Sequence, residues 1–284
     1  MRNYILHLSL FFLIFCLPNI CVFSQNNFSF KTFNQDNGIV DNYIECIYED
    51  SRGFIWIGTR GGLNRFDGHS FTRINLPKMK SNSSVEVGQH YINALKEDAY
   101  RNLWIGTLAG VYVYSIDNDT YEMYEHDPKD KKSLSYNLIE NFSVDADKSM
   151  WVANRNGLNK FDYKTKTFTH YVYDENNANT VTNNYIFSIL HDNSNNLWIG
   201  TLTGGMNVMP HGSNEVKRVI NNKVYDFPEV RAIFQDSKQN IWVITSQMGI
   251  YIQYKGTRDF VKFQTKAYSV NPKFFTGLSS INED

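Results

Sequence analysis

The chain has 284 residues, enough for one large domain or two small ones. Hydrophobic residues make up 42% and aromatic residues 15%, which excludes a disordered or fibrous chain. The formal net charge is −1, so there is no cationic excess to neutralise a phosphate backbone, and nucleic acid is excluded as a partner.

Residues 1–24 read as a signal peptide. Arg2 gives a positive start, an apolar run extends from Leu8 to Leu17, and Val22-Phe23-Ser24 places cleavage after Ser24. A membrane anchor is the rival reading, because the stretch from Tyr4 to Phe23 approaches the roughly 20 residues of a spanning helix. Pro18 and Asn19 interrupt that stretch. Phe15 and Ile20 precede Cys16 and Cys21 where lipidation needs a small residue, so a lipid anchor is rejected. Cleavage leaves Cys46 as the sole cysteine, and residues 25–284 are expected as an exported, periplasmic domain without a disulfide. No membrane contact beyond the signal peptide is expected.

An internal repeat dominates the remainder. Its copies start at Ile44, Ile92, Ile139, Ile186 and Val230, and each holds one tryptophan at the same place: Trp56, Trp104, Trp151, Trp198 and Trp242. These are all the tryptophans of the protein, spaced by 48, 47, 47 and 44 residues. Asp50, Asp98, Asp145, Asp192 and Asp236 each precede a tryptophan by six residues. Each copy resolves into four short strands. In the first copy these are Ile44–Glu49, Ile55–Thr59, Leu63–Phe66 and Phe71–Ile74, with polar Asp and Gly turns between them. The outer strands of later copies are expected at Tyr121–Tyr124, Phe168–Tyr171, Val216–Val219 and Phe260–Phe263.

Four-stranded units at this period predict an all-β fold, a β-propeller of antiparallel blades. The tryptophan fills the wedge between blades, and the small Gly58, Gly106, Ala153 and Gly200 let the next sheet approach. Phe30-Lys31-Thr32-Phe33 matches the fourth-strand pattern, and Leu278 to Asp284 restarts the repeat. The expectation is about five complete blades with partial strands at both ends, a ring cut within a blade.

The pattern N-x-I-x-x-I-x-x-D-x-x-G-x-[IL]-W-I-G-T-x-x-G-[LV], best seen from Asn42 to Leu63, resembles the two-component-regulator propeller repeat. Ser133–Gly157 and Thr180–Gly205 carry its lead-in as well. The resemblance implies the periplasmic sensor region of a hybrid histidine kinase, one that recognises a glycan breakdown product and controls carbohydrate-utilisation genes. It also implies a homodimer through the full-length receptor. No kinase His box, nucleotide-binding segment or receiver domain stands in this sequence, so the chain is read as a sensing fragment and not as an enzyme.

Two alternatives stay open: an exported glycosidase or sialidase-like propeller, and a protein-docking platform. The Asp-to-Trp spacing is one residue longer than in a sialidase Asp-box, and the remaining carboxylates form no paired motif. The recurring aspartates do not complete a calcium loop, and the histidines lack metal-ligand spacing, so neither metal nor cofactor is expected. Cys46 is expected as a packed, unreactive position, because Ala94, Asn141, Ser188 and Ala232 match it. The sequon at Asn141 falls on a predicted inner strand and the other lies at Asn27; both are read as coincidences. Ligand contacts are sought where the copies differ in their links. Arg60 and Arg155 match in position after the second strand, while His90, Tyr136 and Asn184 close the longer links. Guanidinium, amide and aromatic groups suit an oligosaccharide or another small periplasmic ligand, and these five residues are the ligand-binding candidates.

Overall fold

The protein was analysed as a computed structural model that describes residues 31–79, 90–220, 227, 229–246 and 248–264. Two compact units divide the chain, 1–33 and 34–284, and the blades belong to the second. In the first, only Lys31 to Phe33 are described, and they form no strand. An outer strand there needs a third strand to pair with, which was expected from the far end of the sequence. The signal-peptide segment 1–24, Asn27, Phe30 and the Leu278–Asp284 restart lie outside the described residues.

Twenty strands form five sheets of four, each in simple sequential order. Blade 1 holds β1 (Ile44–Glu49), β2 (Ile55–Thr59), β3 (Gly62–Phe66) and β4 (Phe71–Ile74). Blade 2 holds β5 (Ile92–Glu97), β6 (Asn102–Thr107), β7 (Val111–Ser115) and β8 (Thr120–Tyr124). Blade 3 holds β9 (Ile139–Val144), β10 (Met150–Asn154), β11 (Gly157–Asp162) and β12 (Thr167–Tyr171). Blade 4 holds β13 (Ile186–His191), β14 (Leu197–Thr201), β15 (Met206–Met209) and β16 (Lys217–Arg218). Blade 5 holds β17 (Val230–Gln235), β18 (Ile241–Thr245), β19 (Gly249–Gln253) and β20 (Val261–Lys262). All pairings are antiparallel. The fold is a β-propeller of five blades, as the repeat predicts.

The outer strands of blades 4 and 5 are shorter than expected. Each keeps two ladder residues where four were predicted. Val216 and Phe260, just before those strands, are nonetheless buried in the core.

One turn explains the constant Asp–Trp interval. The aspartate Oδ1 accepts backbone N–H groups two and four residues on, as Asp50 does from Arg52 at 2.9 Å and Phe54 at 3.0 Å. The other oxygen, Oδ2, accepts the indole N–H of the tryptophan in every copy: 2.8 Å for Trp56 and 2.9 Å for Trp104, Trp151, Trp198 and Trp242. One carboxylate therefore closes the turn and pins the ring. This second role went unread in the sequence, where the aspartate was assigned to the turn alone. The third residue after each aspartate is left-handed, with Gly53 at φ 84° and Arg101, Lys148, Asn195 and Gln239 between 61° and 67°. Glycine fits that conformation without strain, yet four copies manage without it. The carboxylate and the turn hydrogen bonds hold the backbone there.

The pinned rings lie between blades. Trp56 clusters with Ile92, Leu95, Leu103 and Ile105 of blade 2. Trp104 packs with Ile139, Phe142 and Phe161 of blade 3, Trp151 with Ile186 and Leu197 of blade 4, and Trp198 with Val230, Ile233 and Phe260 of blade 5. The small residue beside each ring is needed for contact. A Cβ on Gly106 would stand 2.6 Å from Ile139 Cγ2, and one on Gly200 would stand 2.5 Å from Val230 Cγ1. Cys46 Sγ fills the space beside Gly58, where burial pushes its thiol up to about 12, an unreactive thiol as expected.

The first strands β1, β5, β9, β13 and β17 pack on one another in chain order, so they are the innermost strands. On the leading face of blade 1, Ile44 and Ile47 are 43% and 64% exposed. Their counterparts Ile92, Ile139, Ile186 and Val230, and Leu95, Phe142, Ile189 and Ile233, are buried against the preceding blade.

Candidate functional site

Every innermost strand carries a bulge at its second residue. In blade 1, Ile44 faces Thr59 and Cys46 faces Gly58, leaving Glu45 without a partner. The same skip isolates Asn93, Glu140, Phe187 and Arg231. A bulge turns its extra side chain out of the alternating pattern and recurs beside functional sites. Here it aims five variable side chains toward the end of the blades where the β2–β3 links open.

Three arginine–glutamate pairs form at that end, in blades 1, 3 and 5. Arg60 Nε donates to Glu45 Oε1 at 2.6 Å, and Arg155 Nε donates to Glu140 Oε1 at 2.8 Å. Arg231 pairs with Glu229 and donates to Ser246 Oγ at 2.9 Å. Each guanidinium lies on aromatic rings. Arg60 is 4.7 Å from the Tyr43 ring centre and 5.6 Å from that of Tyr91, Arg155 is 4.7 Å from Tyr185, and Arg231 is 4.1 Å from Phe187. Tyr91 Oη donates to Glu45 Oε1 at 2.7 Å, and Asn93 Nδ2 donates to Glu140 Oε2 at 3.0 Å. These last contacts cross from one blade to the next.

The Glu45 hydrogen bond holds the Arg60 guanidinium above its ordinary range. For Arg155, burial works against the charge, but the bond and charge of Glu140 outweigh it. Burial, reinforced by Glu140, pushes the Tyr185 phenol up to about 12. At neutral pH Arg60 and Arg155 are therefore charged and the Tyr185 phenol is protonated. The arginines are about half exposed while their glutamates are mostly covered, so the cationic faces meet solvent. Aromatic planes beside fixed charged donors and acceptors can bond several hydroxyls of one ligand while a ring covers its apolar face.

The five sequence candidates distribute unevenly. Arg60 and Arg155 occupy equivalent places in the cluster. His90 is half-buried, next to Tyr91, and Tyr136 is exposed, its carbonyl accepting from Asn154 Nδ2 at 3.0 Å. Asn184 braces a link: its Oδ1 accepts the Tyr173 N–H at 2.7 Å, and its carbonyl accepts the Gly157 N–H at 2.7 Å. In two of the three links the residue after the named one, Tyr91 or Tyr185, is the one that reaches the cluster. Sequence reading missed Glu45, Glu140 and Arg231. Their mark was variation at the second position of the first strand, within an otherwise regular copy.

Comparisons with known proteins agree with this architecture. The family model described as the two component regulator propeller matches residues 38–61 and 180–203, which include β1–β2 and β13–β14. The crystal structure of an extracellular domain assigned to a hybrid two-component system of B. thetaiotaomicron aligns with a TM-score of 0.68 at 25% identity, covering 81% of this chain and 31% of that one. PorZ, a surface component of the type-IX secretion system of Porphyromonas gingivalis, shares the fold, with a TM-score of 0.61 at 17% identity over 82% of this chain and 34% of that one. A curated relative, Histidine kinase P4 of Formosa agariphila, is 42% identical over 60 residues, 21% of this chain and 4% of the kinase. The chain thus spans about a third of the length of these structural relatives and far less of the kinase. No helix among the described residues is long and apolar enough to cross a membrane. Two of the five repeats, at residues 38–61 and 180–203, thus match the two component regulator propeller model.

Proposed function

We propose that this chain is the exported, ligand-recognising propeller of a hybrid two-component sensor, and that its ligand is an oligosaccharide released by glycan breakdown. The observation that carries this reading is the set of bulged first-strand residues tied to Arg60 and Arg155 at one end of the blades. The chain binds and does not turn over its ligand. Glu45 and Glu140 are each bonded to an arginine and to a tyrosine or asparagine of the next blade, not left as a facing acid–base pair. Binding acts by favouring one arrangement of a larger, homodimeric receptor over another, and a kinase outside this chain passes the change to carbohydrate-utilisation genes.

A thermal-shift and calorimetric screen against plant, algal and host oligosaccharides tests this reading. At least one oligosaccharide is expected to raise the melting temperature. Arg60→Ala and Arg155→Ala should each weaken its binding about tenfold or more, roughly 1.4 kcal/mol, with the unliganded melting temperature nearly unchanged. A complete screen without stabilisation contradicts the oligosaccharide reading. Full binding retained in both variants removes these arginines from the site.

A further inference from the structure

A cavity lies between blades 2 and 3, toward the end of the strands opposite the arginine cluster. Its volume is about 440 Å³, and none of its lining residues belongs to that cluster. One wall is a pair of tyrosines, Tyr100 and Tyr163, set edge to face with ring centres 4.8 Å apart. Both are anchored on one carboxylate. Tyr163 Oη donates to Asp98 Oδ2 at 3.0 Å, the oxygen that also takes Trp104 Nε1, and the Tyr100 N–H donates to Asp98 Oδ1 at 2.9 Å. Tyr100 is nevertheless 55% exposed, so its ring, set against Tyr163, is open to solvent. The opposite rim is an ion pair across the two blades: Lys166 Nζ lies 3.0 and 2.9 Å from the Glu122 oxygens. The Lys164 side chain lines the cavity with no ion-pair partner among the described residues.

The neighbouring junction carries a different pair at the equivalent places. Between blades 1 and 2, Arg52 stands at the place of Tyr100 and Asp117 at the place of Lys164, and these two form an ion pair across the junction. At the blade 2–3 junction Tyr100 and Lys164 take these places, and both line the cavity. The volume is within the range of ligand pockets, and mixed aromatic and polar linings are typical of them.

From this arrangement we propose that the cleft between blades 2 and 3 binds a single anionic sugar ring, such as a uronic acid residue. Tyr100 covers its apolar face, Lys164 takes its carboxylate, and Glu122 with Lys166 bonds its hydroxyls. The site is independent of the arginine cluster and of the reading built on it.

Titration of the full chain with galacturonic acid, followed by calorimetry or ligand-observed NMR, tests the proposal, with galactose and benzoate as comparison probes. Galacturonate is expected to bind at least tenfold tighter than either. Tyr100→Ala and Lys164→Ala, both surface changes, should each weaken it about tenfold. Arg60→Ala should leave it unaltered. Equal binding of galactose overturns the role of Lys164, and equal binding of benzoate overturns the sugar. Absence of galacturonate binding at about 10 mM, a concentration above the millimolar range expected of a monosaccharide, overturns the site. Loss in Arg60→Ala with none in Tyr100→Ala assigns the ligand to the arginine cluster and overturns the cleft, while leaving the sensor reading intact.

Discussion

At the scale of single residues, the aspartate of each turn is the most heavily used group in the molecule. Asp98 accepts the Tyr100 and Asn102 amides, the Trp104 indole and, across the blade junction, the Tyr163 hydroxyl. Asp192 makes the corresponding turn and indole bonds without a tyrosine. Removing such a carboxylate strands buried donors, each costing about 1–3 kcal/mol. Asp98→Ala is therefore expected to lower unfolding stability by about 3 kcal/mol or more, exceeding Asp192→Ala by about 1 kcal/mol. Urea denaturation of the two variants reads the difference, and equal losses would remove the Tyr163 bond from the account.

His191 gives the protein a pH dependence of defined sign. Its ring packs near Trp151, with Nδ1 2.8 Å from Ser143 Oγ, and burial pushes it down to about 4 against the nearby Asp145 and Asp192 charges. As pH falls below about 6.5, the unfolded chain takes up this proton first. Stability contributed by neutral His191 is thus complete above about 6.5 and is lost progressively toward pH 4, to a limit of about 3 kcal/mol. His191→Gln should flatten the stability profile across that window, and an unchanged slope would show that another group governs it.

At the scale of elements, the strands were legible because each is short, apolar or β-branched and ended by its own turn. Ile44–Glu49, Ile55–Thr59 and Phe71–Ile74 match their expected bounds, and β3 gains only Gly62. The bulge was not legible. Alternation along Ile44-Glu45-Cys46-Ile47 does not reveal which residue lacks a partner, since that depends on the register against β2. For the same reason Glu45 and Glu140 escaped notice, while Arg60 and Arg155, in links where copies visibly differ, did not. The Asp-to-indole bond is hidden differently: the turn alone suffices to explain the constant interval in the sequence. Close approach between sheets makes its own prediction. A Cβ at position 106 would meet Ile139 Cγ2 at 2.6 Å and Phe142 Cε2 at 3.0 Å. Gly106→Ala should thus cost about 1–3 kcal/mol by overpacking. A melting temperature equal to that of the parent would mean the blades are less tightly apposed than described.

At the scale of the whole molecule, four of the five indoles serve as joints between their own blade and the next. Trp56, Trp104, Trp151 and Trp198 are buried in such joints, whereas Trp242, in the last described blade, is only partly buried and meets Phe263 of its own blade. Packing of this kind fixes the relative placement of the first strands, and with it the spacing of Glu45, Glu140, Arg60 and Arg155. The geometry of the arginine cluster thus depends on joints formed by residues outside it. Equilibrium unfolding of Trp104→Ala and Trp242→Ala, measured side by side, tests this most directly. Trp104→Ala is expected to lose about 3–5 kcal/mol and Trp242→Ala clearly less. Equal losses, or a Trp104→Ala protein as stable as the parent, would contradict the tryptophans as the joints between blades.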